Sequence, residues 1–103
     1  MRSRYTAYAA HDVRYVMATT DPQGPHHRQD ATSWRRELLA FCKSTQFLGL
    51  EILDARSDGE RGEVTFIATL RQDGAIVPMR ERSLFSRVDG RWLYLRARGD
   101  DAP

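Results

Sequence analysis

Residues 79–95 read MRERSLFSRVDGRWLYL, and this stretch sets the fold class of the chain. Two runs with strand-like alternation flank Asp89-Gly90, a dipeptide that accepts the positive φ angles of a two-residue hairpin turn. A turn at these two residues places Phe85 directly opposite Tyr94 on the neighbouring antiparallel strand. The stretch therefore predicts a β-hairpin that carries an aromatic cross-strand pair.

One face of this hairpin combines aromatic rings with a carboxylate. Because strand side chains alternate between faces, Glu81 and Ser83 share the face of Phe85. Trp92 lies diagonal to Phe85, and Arg82 points to the opposite face. Such a face is typical of a cavity wall or of a core rich in aromatic residues.

The chain before the hairpin supplies two more strands, bounded by polar turns that contain Asp-Gly. Glu63–Arg71 alternates cleanly, and its apolar face consists of Val64, Phe66, Ala68 and Leu70. The four predicted strands are Phe47–Ala55, Glu63–Arg71, Ile76–Ser86 and Arg91–Arg98.

The N-terminal part carries helical signals instead. Candidate N-caps precede two short helices and a longer one that ends near Lys43. These caps are Ser3 for a helix from Arg4 or Tyr5, Asp12, and either Asp30 or Thr32. The longer helix has an apolar stripe with the spacing of a buried face, formed by Trp34, Leu38, Phe41 and Cys42.

Helices that precede an antiparallel meander predict an α+β fold. We expect one domain over residues 1–103, because a chain of this length suits a single modest core. Its N-terminal helices are predicted to pack on the concave face of a strongly curved, four-stranded antiparallel sheet. The tail Gly99–Pro103 is expected to be loose.

Composition bounds the class of protein. Hydrophobic residues make up 41% of the chain and the formal net charge is +2, as in a globular domain with a mixed surface. The single cysteine cannot form an internal disulfide, which fits a reducing compartment. No apolar run spans a membrane and no signal-peptide core is visible, so we expect a cytoplasmic protein.

Several stretches together resemble the middle domain of the YchJ-like family, in order and with consistent spacing. Residues 1–8 and 12–22 are similar to the opening segments of that domain. Residues 47–52, 62–68 and 80–85 are similar to its patterns Trp-x-x-Leu-x-Ile, Gly-x-Val-x-Phe-x-Ala and His-Glu-Arg-Ser-Arg-Phe. The run at 89–94 follows the last of these at the family's spacing.

The resemblance implies a bacterial protein with a fold similar to nuclear transport factor 2, in which helices cover a curved sheet and often enclose a cavity. It implies no particular activity. Many family members carry zinc-binding SEC-C segments outside this domain. One cysteine cannot supply a four-ligand zinc site, so neither these segments nor their partner binding is expected here.

The chain departs from the family pattern at four places. The family His and second Arg of the last pattern are Arg80 and Leu84 here. The strand Trp is Phe47, and the Trp-His pair before Pro22 is Thr20-Asp21. Any chemistry that depends on those His and Trp residues is expected to be absent.

Glu81 has two interpretations. As a functional group it lines a cavity and serves as an acid, a base or an anchor for a polar ligand. As a structural group it pairs with an arginine such as Arg4 and ties the first helix to the sheet.

The aromatic residues likewise fill a core or line a cavity. As cavity lining they favour a small apolar or aromatic ligand, since ligand cavities are mostly apolar with few polar groups. With Glu81 and Ser83, the candidate ligand-binding set contains Tyr5, Tyr8, Trp34, Phe66, Phe85, Trp92 and Tyr94.

No metal site and no cofactor are expected. His26 and His27 are adjacent in a loop, and adjacent histidines rarely hold one metal without further ligands. His11 lies elsewhere, beside Asp12. Cys42 falls on the apolar helix stripe, which predicts a buried, inert thiol.

The arginines on and between the strands are interspersed with acidic residues. No exposed aromatic stripe accompanies them for stacking bases, so the pattern does not favour nucleic acid. We expect the outer sheet face to be solvated or to form a homodimer.

These patterns favour a ligand-binding or protein-interaction module, because no catalytic constellation stands out. The alternative is a small-molecule enzyme of the cone fold, such as an isomerase, dehydratase or hydrolase. In that case Glu81 is the acid or base, an assignment that rests on fold analogy.

Overall fold

A computed structural model describes residues 1–98 of the chain, and these form three helices and four strands. Their bounds are α1 Arg2–Ala9, α2 Val13–Ala18, α3 Ala31–Lys43, β1 Thr45–Asp58, β2 Arg61–Gln72, β3 Ala75–Val88 and β4 Arg91–Ala97. The strands pair antiparallel in the order β1-β2-β3-β4, so the predicted α+β fold is confirmed. The predicted loose tail, residues 99–103, lies outside the described residues.

Two of the predicted helix caps are confirmed. The Asp12 carboxylate accepts a hydrogen bond from the backbone N–H of Tyr15 at 3.2 Å and begins α2. The Asp30 carboxylate accepts from the N–H groups of Thr32 and Ser33, so Asp30 and not Thr32 caps α3. Each cap satisfies N–H groups that the first helical turn leaves without a partner.

The predicted cap at Ser3 is wrong. Helix α1 begins at Arg2, with Met1 at the N-cap position and no side-chain cap. The Ser3 hydroxyl instead accepts a hydrogen bond of 2.8 Å from the hydroxyl of Tyr15. Ser3 therefore joins α1 to α2, because a tertiary partner competes with the local one.

Strands β1, β2 and β3 are longer than predicted, because their turns are tighter, whereas β4 ends at Ala97, one residue before the predicted Arg98. Asp89-Gly90 and Asp73-Gly74 form two-residue turns, and both residues of each have positive φ. Phe85 and Tyr94 are direct cross-strand partners, as the turn at Asp89-Gly90 predicts. The local turn signal thus fixes the register at this end of the sheet.

Two β-bulges curve β1, and a further register shift lies between Leu84 and Phe85 in the pairing of β3 with β4. The pairing of β1 with β2 shifts between Phe47 and Gly49 and again between Ile52 and Asp54, so Leu48 and Leu53 are extra residues. An extra residue bends its strand and increases the local twist. The bulges give β1 the curvature that lets the sheet wrap around the helices.

The core lies between the helices and the concave face. Its centre is formed by Phe66, Ala68 and Leu70, which share one face of β2 as predicted. The apolar stripe on α3 is only partly buried: Trp34 and Cys42 are buried, whereas 38% of Phe41 is exposed. Part of this helix therefore borders open space.

The free edge of β4 is covered by the segment that follows α2. Tyr94 donates its N–H to the carbonyl of Thr19 at 2.7 Å, and Asp21 donates its N–H to the carbonyl of Tyr94 at 2.8 Å. Thr20 thereby forms an isolated parallel bridge with Tyr94. The pairing gives the backbone N–H and carbonyl of Tyr94 on the edge strand their hydrogen-bond partners, and it anchors the loop that follows Asp21.

Asp21 makes the stability of this anchor depend on pH. The Ser86 hydroxyl and the Gln23 N–H both donate to the Asp21 carboxylate and hold its pKa below its usual range. A carboxyl whose pKa is lower in the folded than in the unfolded state stabilises the fold above its unfolded pKa. That stabilisation is lost as the pH falls through the folded pKa.

We expect Asp21→Asn to lower the free energy of unfolding near neutral pH and to flatten its decline in acid. Urea denaturation between about pH 7 and about pH 2 measures both effects. Asp58→Asn, at an exposed carboxylate, is the matched control and should keep the wild-type acid slope. An unchanged slope in Asp21→Asn would contradict the assignment.

Candidate functional site

A cavity of about 420 Å³ lies between the helices and the concave face of the sheet. Helices α1 and α3 cover it, and residues 25–28 close one side. We name it cavity 1. Six residues of the predicted ligand-binding set lie in its lining: Tyr5, Tyr8, Trp34, Phe66, Glu81 and Tyr94.

An aromatic cluster forms one wall of cavity 1. The Tyr8 ring stacks on Phe47 with 6.1 Å between centroids and meets Phe41 edge-on at 5.8 Å. Tyr5 meets Phe47 edge-on, also at 5.8 Å. The sequence did not predict Phe41 or Phe47 as lining residues, because Phe41 lies on the predicted buried stripe of α3 and Phe47 begins the first predicted strand.

Glu81 is the carboxylate of cavity 1, and two hydroxyl groups hold it. Ser83 donates from Oγ to Oε2 of Glu81 at 2.6 Å, and the Tyr94 hydroxyl donates to the same oxygen at 3.3 Å. Within residues 1–98 the other oxygen, Oε1, has no hydrogen-bond donor. Glu81 therefore retains an acceptor for a further partner.

Arg4 does not form the ion pair with Glu81 that the structural interpretation of Glu81 suggested. Arg4 is 7% exposed, and its Nη1 donates to the Val16 carbonyl at 3.2 Å. The same nitrogen donates to the hydroxyl oxygens of Thr19 at 2.8 Å and Thr20 at 3.3 Å. Neutral oxygens at the end of α2 thus satisfy the buried cation, and Arg4 ties α1 to α2 rather than to Glu81.

Tyr94 lies against both charged groups. The guanidinium carbon of Arg4 is 4.7 Å from the Tyr94 ring centroid, a cation–π contact, while the Tyr94 hydroxyl faces Glu81. Burial and the neighbouring Glu81 charge raise the pKa of the Tyr94 hydroxyl. Because its pKa is raised, the Tyr94 hydroxyl remains a protonated hydrogen-bond donor at neutral pH. Burial also lowers the pKa of Arg4, since desolvation disfavours its charged form.

The loop after Asp21 adds side chains that the sequence did not connect with a site. The His26 ring lies 5.5 Å from the Tyr94 ring and lines cavity 1. Arg28 of the same loop also lines cavity 1, and it forms an exposed ion pair of 3.4 Å with Glu37 of α3, another lining residue. No local pattern predicts these positions, because the loop reaches the cavity only after it is anchored on β4.

Three residues of the predicted set lie outside the lining of cavity 1. Ser83 is fully buried and reaches the cavity only through its hydrogen bond to Glu81. Phe85 is buried and meets Tyr94 edge-on at 5.8 Å. Trp92 is 40% exposed and lies with Phe85 in the lining of a second cavity. The predicted single wall is therefore divided between two cavities.

The described residues show neither a metal cluster nor a membrane-spanning helix. Residues 1–98 contain no group of three or more His, Cys, Asp or Glu side chains arranged for a metal ion. Over the same range, no helix is long and apolar enough to cross a membrane. Cys42 is buried as predicted, and its burial raises the thiol pKa.

A family model described as the middle NTF2-like domain of YchJ matches residues 1–97. The chain belongs to this family. The UPF0225 protein of Pectobacterium carotovorum is 42% identical over 101 residues, a match that covers 92% of this chain and 61% of that protein. The UPF0225 protein of Serratia proteamaculans is 38% identical over 99 residues with the same coverages. This YchJ-family chain thus spans about three fifths of the length of these relatives.

Solved structures show the same fold. A SEC-C motif containing protein from Rhodopseudomonas palustris has a TM-score of 0.80 at 34% identity, covering 95% of this chain and 73% of that one. A chain whose name begins Rd1NTF2_05 has a TM-score of 0.75 at 13% identity, covering 94% of this chain and 90% of that one. The predicted family and the predicted likeness to nuclear transport factor 2 are confirmed.

Proposed function

We propose that this YchJ-family domain binds a small molecule with an aromatic or apolar body in cavity 1. The observation that carries the proposal is the Glu81 carboxylate, which lies among apolar and aromatic side chains and has one oxygen without a donor in residues 1–98. Small-molecule sites typically combine apolar walls with a few polar groups that orient the ligand. The single cysteine additionally supports a proposed cytoplasmic location.

The lining restricts the chemistry of the ligand. A volume of about 420 Å³ suits one or two fused rings. The rings would pack against Trp34 and Tyr8. A hydroxyl or amine on the ligand would donate to Oε1 of Glu81, since Oε2 is already occupied. Nη1 of Arg4 already donates to oxygens of α2, and the negative charge of Glu81 repels an anionic group placed beside it.

A titration with 2-naphthol tests this proposal, because the chain has two tryptophans and Trp34 lies in cavity 1. We expect saturable shifts of the Trp34 indole N–H resonance in ¹H–¹⁵N spectra. The analogue 2-methoxynaphthalene lacks the donor and should bind about tenfold more weakly, the loss of roughly one hydrogen bond to a charged group. Absence of a Trp34 shift with both compounds would overturn the proposal.

Glu81→Gln separates ligand recognition from a structural role. The amide retains an acceptor oxygen but lacks the charge, so we expect 2-naphthol binding to weaken while the melting temperature changes little. Glu51→Gln, on an exposed position of β1, is the matched control and should bind as wild type does. A marked fall in melting temperature with unchanged affinity would assign Glu81 to the scaffold instead.

A second candidate function is small-molecule catalysis with Glu81 as base. It is favoured by one observation, namely that Glu81 does not form an ion pair with Arg4 and so is not neutralised by it. A carboxylate in such a lining suits proton abstraction next to a carbonyl group, with the Tyr94 hydroxyl turning from Oε2 of Glu81 to donate to the substrate oxygen. Exchange of the α-hydrogens of 2-tetralone in ²H₂O, catalysed by the wild type and lost in Glu81→Gln, would support this function.

A further inference from the structure

A second cavity lies at the other end of the concave face. It has a volume of about 580 Å³, and we name it cavity 2. The start of α1 and residues of α2 cover it, above the ends of the strands. Its wall includes Tyr15, Arg56, Gly62, Glu63, Arg91 and Trp92. Arg4 lines both cavities and stands at their boundary.

The Trp92 side chain in cavity 2 is packed on one side and exposed to solvent on the other parts of its surface. The side chain is 40% exposed, and Tyr15 beside the same cavity is 37% exposed. A Cβ atom at Gly62 would lie 3.1 Å from Cζ3 of Trp92, so the indole ring rests closely against the backbone of β2. Because Gly62 has no side chain, the indole ring can pack directly against the backbone of β2. This contact restricts the rotation of the Trp92 side chain.

The charges around cavity 2 are mainly positive. Glu63 also lines the cavity, and its carboxylate is neutralised by Arg98 at 2.9 Å and Arg82 at 3.2 Å. Within residues 1–98 Arg91 has no carboxylate partner. The guanidinium of Arg87 also lies 5.7 Å from the Trp92 ring centroid. Anions are therefore attracted to this end of the domain.

Arg56 adds a second cation to the lining. Its Nε binds Asp54 at 2.8 Å, but both side chains are largely exposed, at 79% and 50%. An exposed pair of this kind contributes little energy and is readily exchanged for another anion. Arg56 and Arg91 both line cavity 2, and a guanidinium group suits a planar anionic group.

We propose that cavity 2 is a separate binding site for a flat aromatic anion, whose ring packs on Trp92 and whose acidic group pairs with Arg91 and Arg56. The aromatic surface supplies stacking area, and the arginines supply the charge. Cavity 1 differs, because Oε1 of Glu81 has no donor within residues 1–98 and favours a ligand that donates a hydrogen bond. This inference does not rest on the function proposed for cavity 1.

The two tryptophans report the two cavities separately, since Trp34 lines cavity 1 and Trp92 lines cavity 2. In ¹H–¹⁵N spectra we expect 2-naphthoate to shift the Trp92 indole N–H and to leave that of Trp34 in place. The neutral 2-naphthamide should bind at least about tenfold more weakly, because it lacks the charge. A titration with 2-naphthyl phosphate compares the carboxylate with the phosphate as the acidic group.

Arg91→Met tests the role of the cation, and Arg96→Met is its matched control on the same strand. Arg96 is exposed and does not line cavity 2. We expect Arg91→Met to weaken 2-naphthoate binding about tenfold and Arg96→Met to leave it unchanged. Raising the salt concentration to about 0.5 M should weaken the binding of wild type in the same direction.

Several results would overturn the proposal. A Trp34 shift without a Trp92 shift would place the anion in cavity 1. Equal affinities for 2-naphthoate and 2-naphthamide would show that the negative charge of the ligand does not contribute to binding. No Trp92 shift at millimolar 2-naphthoate would show that cavity 2 does not bind such ligands. None of these results bears on the binding of 2-naphthol at Trp34.

Discussion

Phe66→Ala is expected to lower the free energy of unfolding by about 3–5 kcal/mol, the usual cost of truncating a buried phenylalanine. Phe66 is 4% exposed and lies at the centre of the core on β2, between Ala68 and Val64 along one face. The loss includes the transferred ring and the space it leaves, because neighbouring strands can close only partly. Urea denaturation followed by circular dichroism measures the change.

The matched control for this substitution is Ile76→Ala. Ile76 belongs to the same sheet but is 58% exposed, so its truncation should change the free energy of unfolding by no more than about 0.5 kcal/mol. A loss below about 1 kcal/mol for Phe66→Ala would mean that the core does not centre on β2. Equal losses for both variants would contradict the burial of one and the exposure of the other.

Gly24→Ala is expected to lower the free energy of unfolding by about 1–3 kcal/mol, as forced overpacking typically does. A Cβ atom at Gly24 would overlap the Leu95 carbonyl oxygen and lie 3.3 Å from the Asp21 carbonyl oxygen. Both neighbours are backbone atoms, which cannot rotate away as a flexible side chain does. The loop that carries His26 into cavity 1 must therefore move.

Hydrogen exchange locates this effect. The amide of Asp21 donates to the carbonyl of Tyr94, and we expect it to exchange faster in Gly24→Ala. Gly49→Ala is the control, since no atom lies within 4 Å of a Cβ at Gly49, and it should leave both stability and this amide unchanged. Normal protection of Asp21 in Gly24→Ala would show that the loop tolerates the added methyl group.

Local signals in the sequence predicted much of the fold because they depend on neighbouring residues. Asp89-Gly90 set the pairing of Phe85 with Tyr94. The turn needs two positive φ angles at these residues, and counting back equally along both strands brings Phe85 opposite Tyr94. Asp12 and Asp30 predicted helix starts through the N–H groups next to them. The predicted cap at Ser3 was wrong, because the Ser3 hydroxyl binds the distant hydroxyl of Tyr15 instead of a neighbouring backbone N–H.

The candidate site was predicted only in part. Strand parity placed Glu81 and Ser83 on one face, and the structure joins them by a hydrogen bond. Parity also grouped Trp92 with them, yet Trp92 lies in cavity 2, because residues that share a face at opposite ends of a curved sheet do not share a cavity. The sequence left open whether Glu81 pairs with Arg4, and the partners of Arg4 depend on where α2 ends.

The sequence by itself determined the family, the order of helices and strands, the hairpin register and the aromatic character of the concave face. Only the tertiary structure decided that this face holds two cavities, that Arg4 stands at their boundary, and that His26 reaches cavity 1. The physical reason is that both cavities depend on sheet curvature and on the placement of α1. Bulges at Leu48 and Leu53 and contacts between distant residues set these features, and they leave no periodic trace in the chain.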